Sequence, residues 1–162
     1  MRAVLSIGFF FLISIVSLSG TAYSQEGQVE MVGPLTQEEI LQALPDWQDR
    51  MVAYAPKLGA VNELKAFPDF VQVEVYLGTW CSDSQSHVTA FFQVLNFVNS
   101  PQIQVSYMGV PKDKPSREPY IAGKDIEKLP TFIVLVNGIV KGRIVETPTR
   151  TVEEDLLALL RR

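Results

Sequence analysis

From Phe70 the chain alternates. In "FVQVEVYL", Val71, Val73, Val75 and Leu77 fall on one side of an extended backbone, and Gln72, Glu74 and Tyr76 on the other. That period of two predicts a strand with one face in a core. Gly78 and Thr79 end it, and Trp80 and Cys81 stand at a turn. The period then lengthens. Val88, Phe91, Phe92, Leu95 and Val98 recur at helical spacing, and Val94 and Phe97 widen the stripe. A substantially buried helix from Ser82 to Val98 is predicted. Alternation returns after Pro101 in "IQVSYMGV". A connection rich in proline and charge, "PKDKPSREPYIAGKDIEK", follows, with one short helix expected near Tyr120 to Asp125. Phe132 to Val136 is a continuous apolar run, which suits a central strand covered on both faces. Asn137-Gly138 is a hairpin signal, and Ile139 to Glu146 returns as an antiparallel edge strand.

Helix signals frame this block. Thr36 with Glu39 reads as a capping box, as does Thr151 with Glu154. Pro45, Pro56 and Gly59 divide the N-terminal stretch into short helical pieces, among them one carrying Leu58, Val61 and Leu64. At the other end, Arg161 and Arg162 suit the negative pole of the last helix. The order is helices, strand–helix–strand, hairpin, helix. The strand–helix–strand unit requires a parallel pair with a right-handed crossover. The expected fold class is therefore α/β: a central mixed β-sheet flanked by helices on both faces, with a helical N-terminal extension. Residues 35–67 form that extension and 68–162 the principal domain.

Residues before this block carry an address. Arg2 supplies a positive start, and Ala3 to Ser19 is almost wholly apolar, with "FFFLISIV" at its centre. Ala22 and Ser24 are small residues placed for cleavage before Gln25. Residues 1–24 read as a signal peptide and 25–34 as a polar linker. No cysteine lies near the cleavage site, which excludes a bacterial lipoprotein anchor. The alternative is an uncleaved membrane anchor of residues 3–19. The expected location is periplasmic or secreted in the bacterial cell envelope, with membrane attachment only if the segment is retained.

Composition narrows the function. The apolar N-terminus inflates the hydrophobic fraction of 47% and the mean hydropathy of +0.14. With a formal net charge of −4 and no basic run interleaved with aromatics, the chain has no footprint for nucleic acid. One cysteine and one histidine make no metal-ligand set, so no metal is expected. Export normally permits disulfides, but Cys81 has no internal partner. A lone cysteine in an exported chain points to intermolecular pairing or a free thiol, against the bland reading of a buried inert residue.

Trp80-Cys81 at the strand-to-helix turn, Leu129-Pro130-Thr131 opening the hairpin, Asn137-Gly138 and the terminal helix together resemble the thioredoxin family over Phe70 to Arg162. Trp80 to Ser84 occupies the family's W-C-x-x-C position, and Pro130 that of its cis-proline. More narrowly, "LGTWCSDS" looks like a group of exported bacterial thioredoxin-like proteins with a Trp-Cys-x-Asp-Ser signature. The resemblance implies a thioredoxin-like fold, a catalytic pair Cys81 and Ser84, and a substrate-binding rim of Trp80, Leu129, Pro130 and Thr131. Two departures matter. Ser84 stands where the family has its second cysteine, and Val75 where it has a buried acid; Glu74, one residue off, points to the opposite face.

At a helix start, unpaired N–H groups and the dipole stabilise a thiolate. Asp83 acts against this, and Ser84 is expected to donate an O–H bond to the sulfur. Such a thiolate attacks a disulfide but has no second cysteine to release the product. Turnover then needs an external thiol, such as glutathione; Lys124 and Lys128 flank the proline corner and are read first as solvated loop lysines, with attraction of an anionic thiol as the alternative. His87, six residues on, is expected to be a partly exposed structural residue, not the base for Cys81. The expected activity is monothiol-type thiol–disulfide exchange, with cysteine-containing exported proteins or small thiols as partners and no bound cofactor. The alternative is a redox-inactive module that grips extended peptide near Trp80 and Pro130. A third reading is a stable domain with a vestigial cysteine.

Overall fold

The structure, a computed structural model, describes residues 29–162. The apolar segment, its cleavage site and residues 25–28 of the linker lie outside the described residues. Twelve elements follow one another: β1 (Gly33–Leu35), α1 (Gln37–Ala43), α2 (Pro45–Ala53), α3 (Leu58–Lys65), β2 (Val71–Leu77), α4 (Ser82–Val98), β3 (Ile103–Gly109), a 3-10 turn (Lys114–Arg117), α5 (Glu118–Ile121), β4 (Thr131–Val136), β5 (Ile139–Val145) and α6 (Val152–Leu160). The strands form one mixed sheet in the order β1-β3-β2-β4-β5. Only β2 and β3 run parallel, joined by α4; the other three pairs are antiparallel. The chain is thus α/β, with a five-stranded mixed sheet.

The alternation along β2 sorts the two faces. Val71, Val73, Val75 and Leu77 enter the main core, with Tyr107 of β3 and Phe132, Val134 and Val136 of β4. Every helix except α5 sends buried residues into that core: Ile40, Trp47, Leu64, Phe91 and Leu156 are among them. Phe91 meets Phe132 edge-on, and Phe92 meets Tyr107 likewise, both with ring centroids 5.3 Å apart. Helices were expected on both faces. Five helices cover the main core, whereas the second face has a smaller cluster of Tyr76, Val110, Leu129 and Ile133, covered by the connection that carries the 3-10 turn and the four-residue helix α5. Phe97, expected in the buried stripe of α4, is 46% exposed, because the helix offers the core its other side.

Local signals set the element ends. The Thr36 capping box is complete, with hydroxyl and Glu39 carboxylate each accepting from the other's backbone N–H. At α6 only half of the box forms. Thr151 Oγ1 accepts from Glu154 N–H, while the Glu154 carboxylate takes the Thr151 hydroxyl proton instead. Asn99, left-handed at φ 41°, closes α4.

One strand had no sequence signal. β1 lies across the boundary between the polar linker and the helical extension, and pairs with β3, Gly33 opposite Gly109 and Leu35 opposite Tyr107. Its approach depends on Gly109. A Cβ there would stand 2.4 Å from the Met31 carbonyl oxygen.

The helical extension and the last helix meet at one buried carboxyl side chain. Glu153, fully buried in the first turn of α6, accepts from the Tyr54 hydroxyl at 2.9 Å and the Lys57 backbone N–H at 2.8 Å. Removing it leaves two donors facing each other across a joint with no acceptor. Glu153→Ala is expected to lower the unfolding free energy by about 2–3 kcal/mol and Tyr54→Phe by about 1 kcal/mol, read from urea midpoints. Burial pushes the phenol of Tyr54 far above its ordinary range, and Glu153 adds to the shift. Burial does the same to Tyr107, and Tyr76 is raised by burial and Glu74. The folded chain therefore holds protons that the unfolded chain gives up. Stability is complete below the ordinary tyrosine value of about 10 and falls as pH rises past it. Lys124 and Lys128, also raised, contribute with the same sign. Urea midpoints measured from roughly pH 8 to 11 check this, and Tyr54→Phe should flatten the fall.

Candidate functional site

The parallel pairing of β2 and β3 obliges the chain to turn sharply at the end of β2 and enter α4. Gly78 to Cys81 make that turn. Cys81 N–H donates to the Gly78 carbonyl at 2.9 Å, and Gln85 N–H returns to the Cys81 carbonyl at 2.9 Å as the first bond of the helix. Cys81 is thereby the N-cap of α4, extended at φ −99° and ψ 124°, with no side-chain cap of its own. Its thiol is half-buried and free. Trp80 lays its indole over Gly78, where a Cβ would come within 2.7 Å of the ring, and donates Nε1–H to the Val110 carbonyl at 2.9 Å. The Arg117 guanidinium stands over the same ring, 5.2 Å from its centroid.

The second half of the site arrives with β4. The Leu129–Pro130 peptide bond is cis, and Leu129, Pro130 and Thr131 are all buried. Thr131 Oγ1 donates to the Lys128 carbonyl at 2.7 Å and Glu146 N–H donates to the Pro130 carbonyl at 2.7 Å. Cys81 Sγ donates to the Leu129 carbonyl at 3.6 Å. The fold thus brings Cys81, Trp80 and the Leu129–Thr131 corner together, although 48 residues separate Cys81 from Leu129.

Ser84 is placed differently from the expectation. It is fully buried, and its Oγ accepts the Gly78 N–H at 3.1 Å. The hydrogen bond to the sulfur does not form; the hydroxyl pins the turn from below. The physical reason is that Gly78, at the end of β2, has an N–H with no ladder partner, and Ser84 is the buried acceptor nearest to it.

The charged neighbours are also engaged. Lys124 Nζ reaches Glu74 at 2.6 Å, and Tyr76 donates its hydroxyl to the same carboxylate at 3.2 Å. Lys128 pairs with Glu146. The two lysines, read from the sequence as solvated loop residues with attraction of an anionic thiol as the alternative, instead have carboxylate partners inside the chain. Glu74 lies on the second face, away from the main core, as its alternation with Val75 requires. His87 is half-buried on α4; burial pushes its imidazole below the ordinary value, and Asp83 opposes that.

One residue of the site escaped sequence reasoning. Thr79, 4% exposed, donates its hydroxyl to the Val29 carbonyl at 2.7 Å and accepts from Met31 N–H at 3.0 Å. It fastens the segment before β1 to the turn that carries Cys81. No periodicity marks it; adjacency to Trp80-Cys81 was the only available signal. A concavity of about 570 Å³ between α1 and α2, lined by Gln37, Glu38, Leu41, Gln42 and Gln48, shares none of these residues. No cluster of three His, Cys, Asp or Glu side chains fit to hold a metal ion occurs among the described residues.

Ser84→Ala tests the pinning role. With the Gly78 N–H buried and unpartnered, the variant should lose about 1–2 kcal/mol of unfolding free energy in urea. Ser84→Thr, which keeps the acceptor, should lose less if its extra methyl is accommodated.

No family model and no curated protein matches the chain. Its likeness is to solved structures. One is a protein of unknown function from Pseudomonas aeruginosa, 15% identical, with a TM-score of 0.55 over 78% of this chain and 98% of that one. Another is an HIV epitope-scaffold, 16% identical, with a TM-score of 0.56 over 75% of this chain and 84% of that one. At these identities the likeness is one of α/β fold alone.

Proposed function

We propose that this chain is an exported thioredoxin-like protein whose Cys81 carries out thiol–disulfide exchange of the monothiol type. The observation that carries the reading is the meeting of Cys81, the N-cap of α4, with the cis Leu129–Pro130 corner. The strand order, with a parallel β2–α4–β3 unit beside an antiparallel β4–β5 hairpin and a closing helix, supports the fold part of the proposal.

The chemistry runs in two exchanges. The Cys81 thiolate attacks one sulfur of a partner's disulfide. A new S–S bond forms as the partner's breaks, and the departing thiolate takes a proton from water. An external thiolate then attacks the partner's sulfur in the mixed disulfide; an S–S bond forms between those two as the bond to Cys81 breaks, and the released Cys81 thiolate takes up a proton. Ser84 makes no hydrogen bond to the sulfur; its Oγ accepts the Gly78 N–H, and as a hydroxyl it does not release the mixed disulfide as a second cysteine would. Turnover belongs to cysteine-containing exported proteins or a small thiol such as glutathione. The paired state of Lys124 and Lys128 removes the charge argument for glutathione in particular.

One observation favours the second reading, a redox-inactive binding module. The sulfur donates to a backbone carbonyl, and no side chain donates to it among the described residues. Trapping distinguishes the two. After acid quenching of envelope extracts, unaltered protein should run as reducible adducts on non-reducing electrophoresis, and Cys81→Ala should show none. The variant should fold normally, because Cys81 lies at a helix start and outside the main core. Identical banding for the two proteins would leave the binding module as the surviving reading.

A further inference from the structure

The connection between β3 and β4 is fastened at both ends by the two consecutive site residues. Trp80 Nε1–H holds the carbonyl of Val110, where the connection begins, and Cys81 Sγ–H holds that of Leu129, where it ends. Between these points it crosses the second face of the sheet. Ile121 and Ile126 lie there against Tyr76, Ile133 and Leu135. Its other ties are mostly polar: Lys124 to Glu74, Lys128 to Glu146, Arg143 to the carbonyls of Lys124 and Asp125, Lys112 N–H to Glu30, the Thr131 hydroxyl to the Lys128 carbonyl, and Arg117 over the Trp80 ring. Gly123 and Asp125, both left-handed at φ 70° and 52°, flank Lys124. Half-exposed ion pairs contribute little in water. Neither the 3-10 turn nor α5 has a fully buried residue, so this cover is held more lightly than the helices of the opposite face, and one of its end bonds is a thiol proton.

We propose that residues 112–128 form a redox-responsive cover, closed while Cys81 is a thiol and loosened when its sulfur enters a mixed disulfide. The inference rests on the reading of Cys81 as an exchanging thiol. Forming the adduct replaces the S–H by S–S. The Leu129 carbonyl loses its donor, and the new substituent occupies space beside the corner. The connection then opens from the Leu129 end and uncovers the apolar strip of Tyr76, Ile133 and Leu135 next to the captured partner. Release by an external thiol restores the proton and closes the cover.

The chain's single cysteine makes the test clean. Methyl methanethiosulfonate converts Cys81 alone: sulfur attacks the sulfenyl sulfur, the S–SO₂ bond breaks, and methanesulfinate leaves. Hydrogen–deuterium exchange is then compared with and without the adduct. Exchange across 112–128 should rise roughly fivefold, the scale of one lost hydrogen bond, while β2, β4 and α4 stay unchanged, and dithiothreitol should reverse it. Treated Cys81→Ser, which keeps a hydroxyl donor and forms no adduct, should exchange like the untreated protein. Unchanged exchange across 112–128, a uniform rise over the whole domain, or the same rise in treated Cys81→Ser would each overturn the cover. Because the adduct is made chemically, failure here is separate from failure to trap partners in extracts, which would count against the exchange reading itself.

Discussion

Strand β2 is constrained from four directions, and the other elements answer to it. It bonds to β3 on one side and β4 on the other, and its side chains alternate between a core under five helices and a face under one irregular connection. A slip of one residue would exchange the valines for Gln72 and Glu74 and empty the core. Its register also fixes where it ends. Gly78 must turn, its N–H must find an acceptor, and Ser84 supplies one. Cys81 stands at the start of α4 as a consequence of that geometry, before any question of reactivity arises.

What could be read from the sequence was what depends on neighbours a few residues away. The alternation of β2, the stripe of α4, the Asn137-Gly138 hairpin and the Thr36 capping box all became structure. What escaped depends on distant partners. β1 has three residues, one of them proline, and exists because Gly109 leaves room and Thr79 provides a clasp 48 and 50 residues away. Phe97 belongs to the helical stripe by spacing, yet which side of a broad stripe is buried depends on how the neighbouring helices settle. The gathering of every helix but the short α5 on one face is of the same kind: connection lengths do not reveal it.

The site divides in the same way. Cys81 and Trp80 were legible from their turn, and the Leu129–Thr131 corner from the resemblance that pairs it with that turn. The bonding of Ser84 was not legible, because a buried hydroxyl goes to the strongest unsatisfied group within reach, here a backbone N–H. Lys124 and Lys128 look free in a polar connection, and only the fold brings Glu74 and Glu146 beneath them.

The Glu153 joint bears on how the chain comes together in time. Tyr54 and Lys57 precede their acceptor by 99 and 96 residues. On a ribosome, the helical extension emerges first and waits for nearly the whole domain before its carboxylate arrives. Contacts so far apart in sequence close late and slow the search for the native state. A chain stopped before α6 would leave the extension without its lock, so the short last helix acts as the point at which assembly is completed.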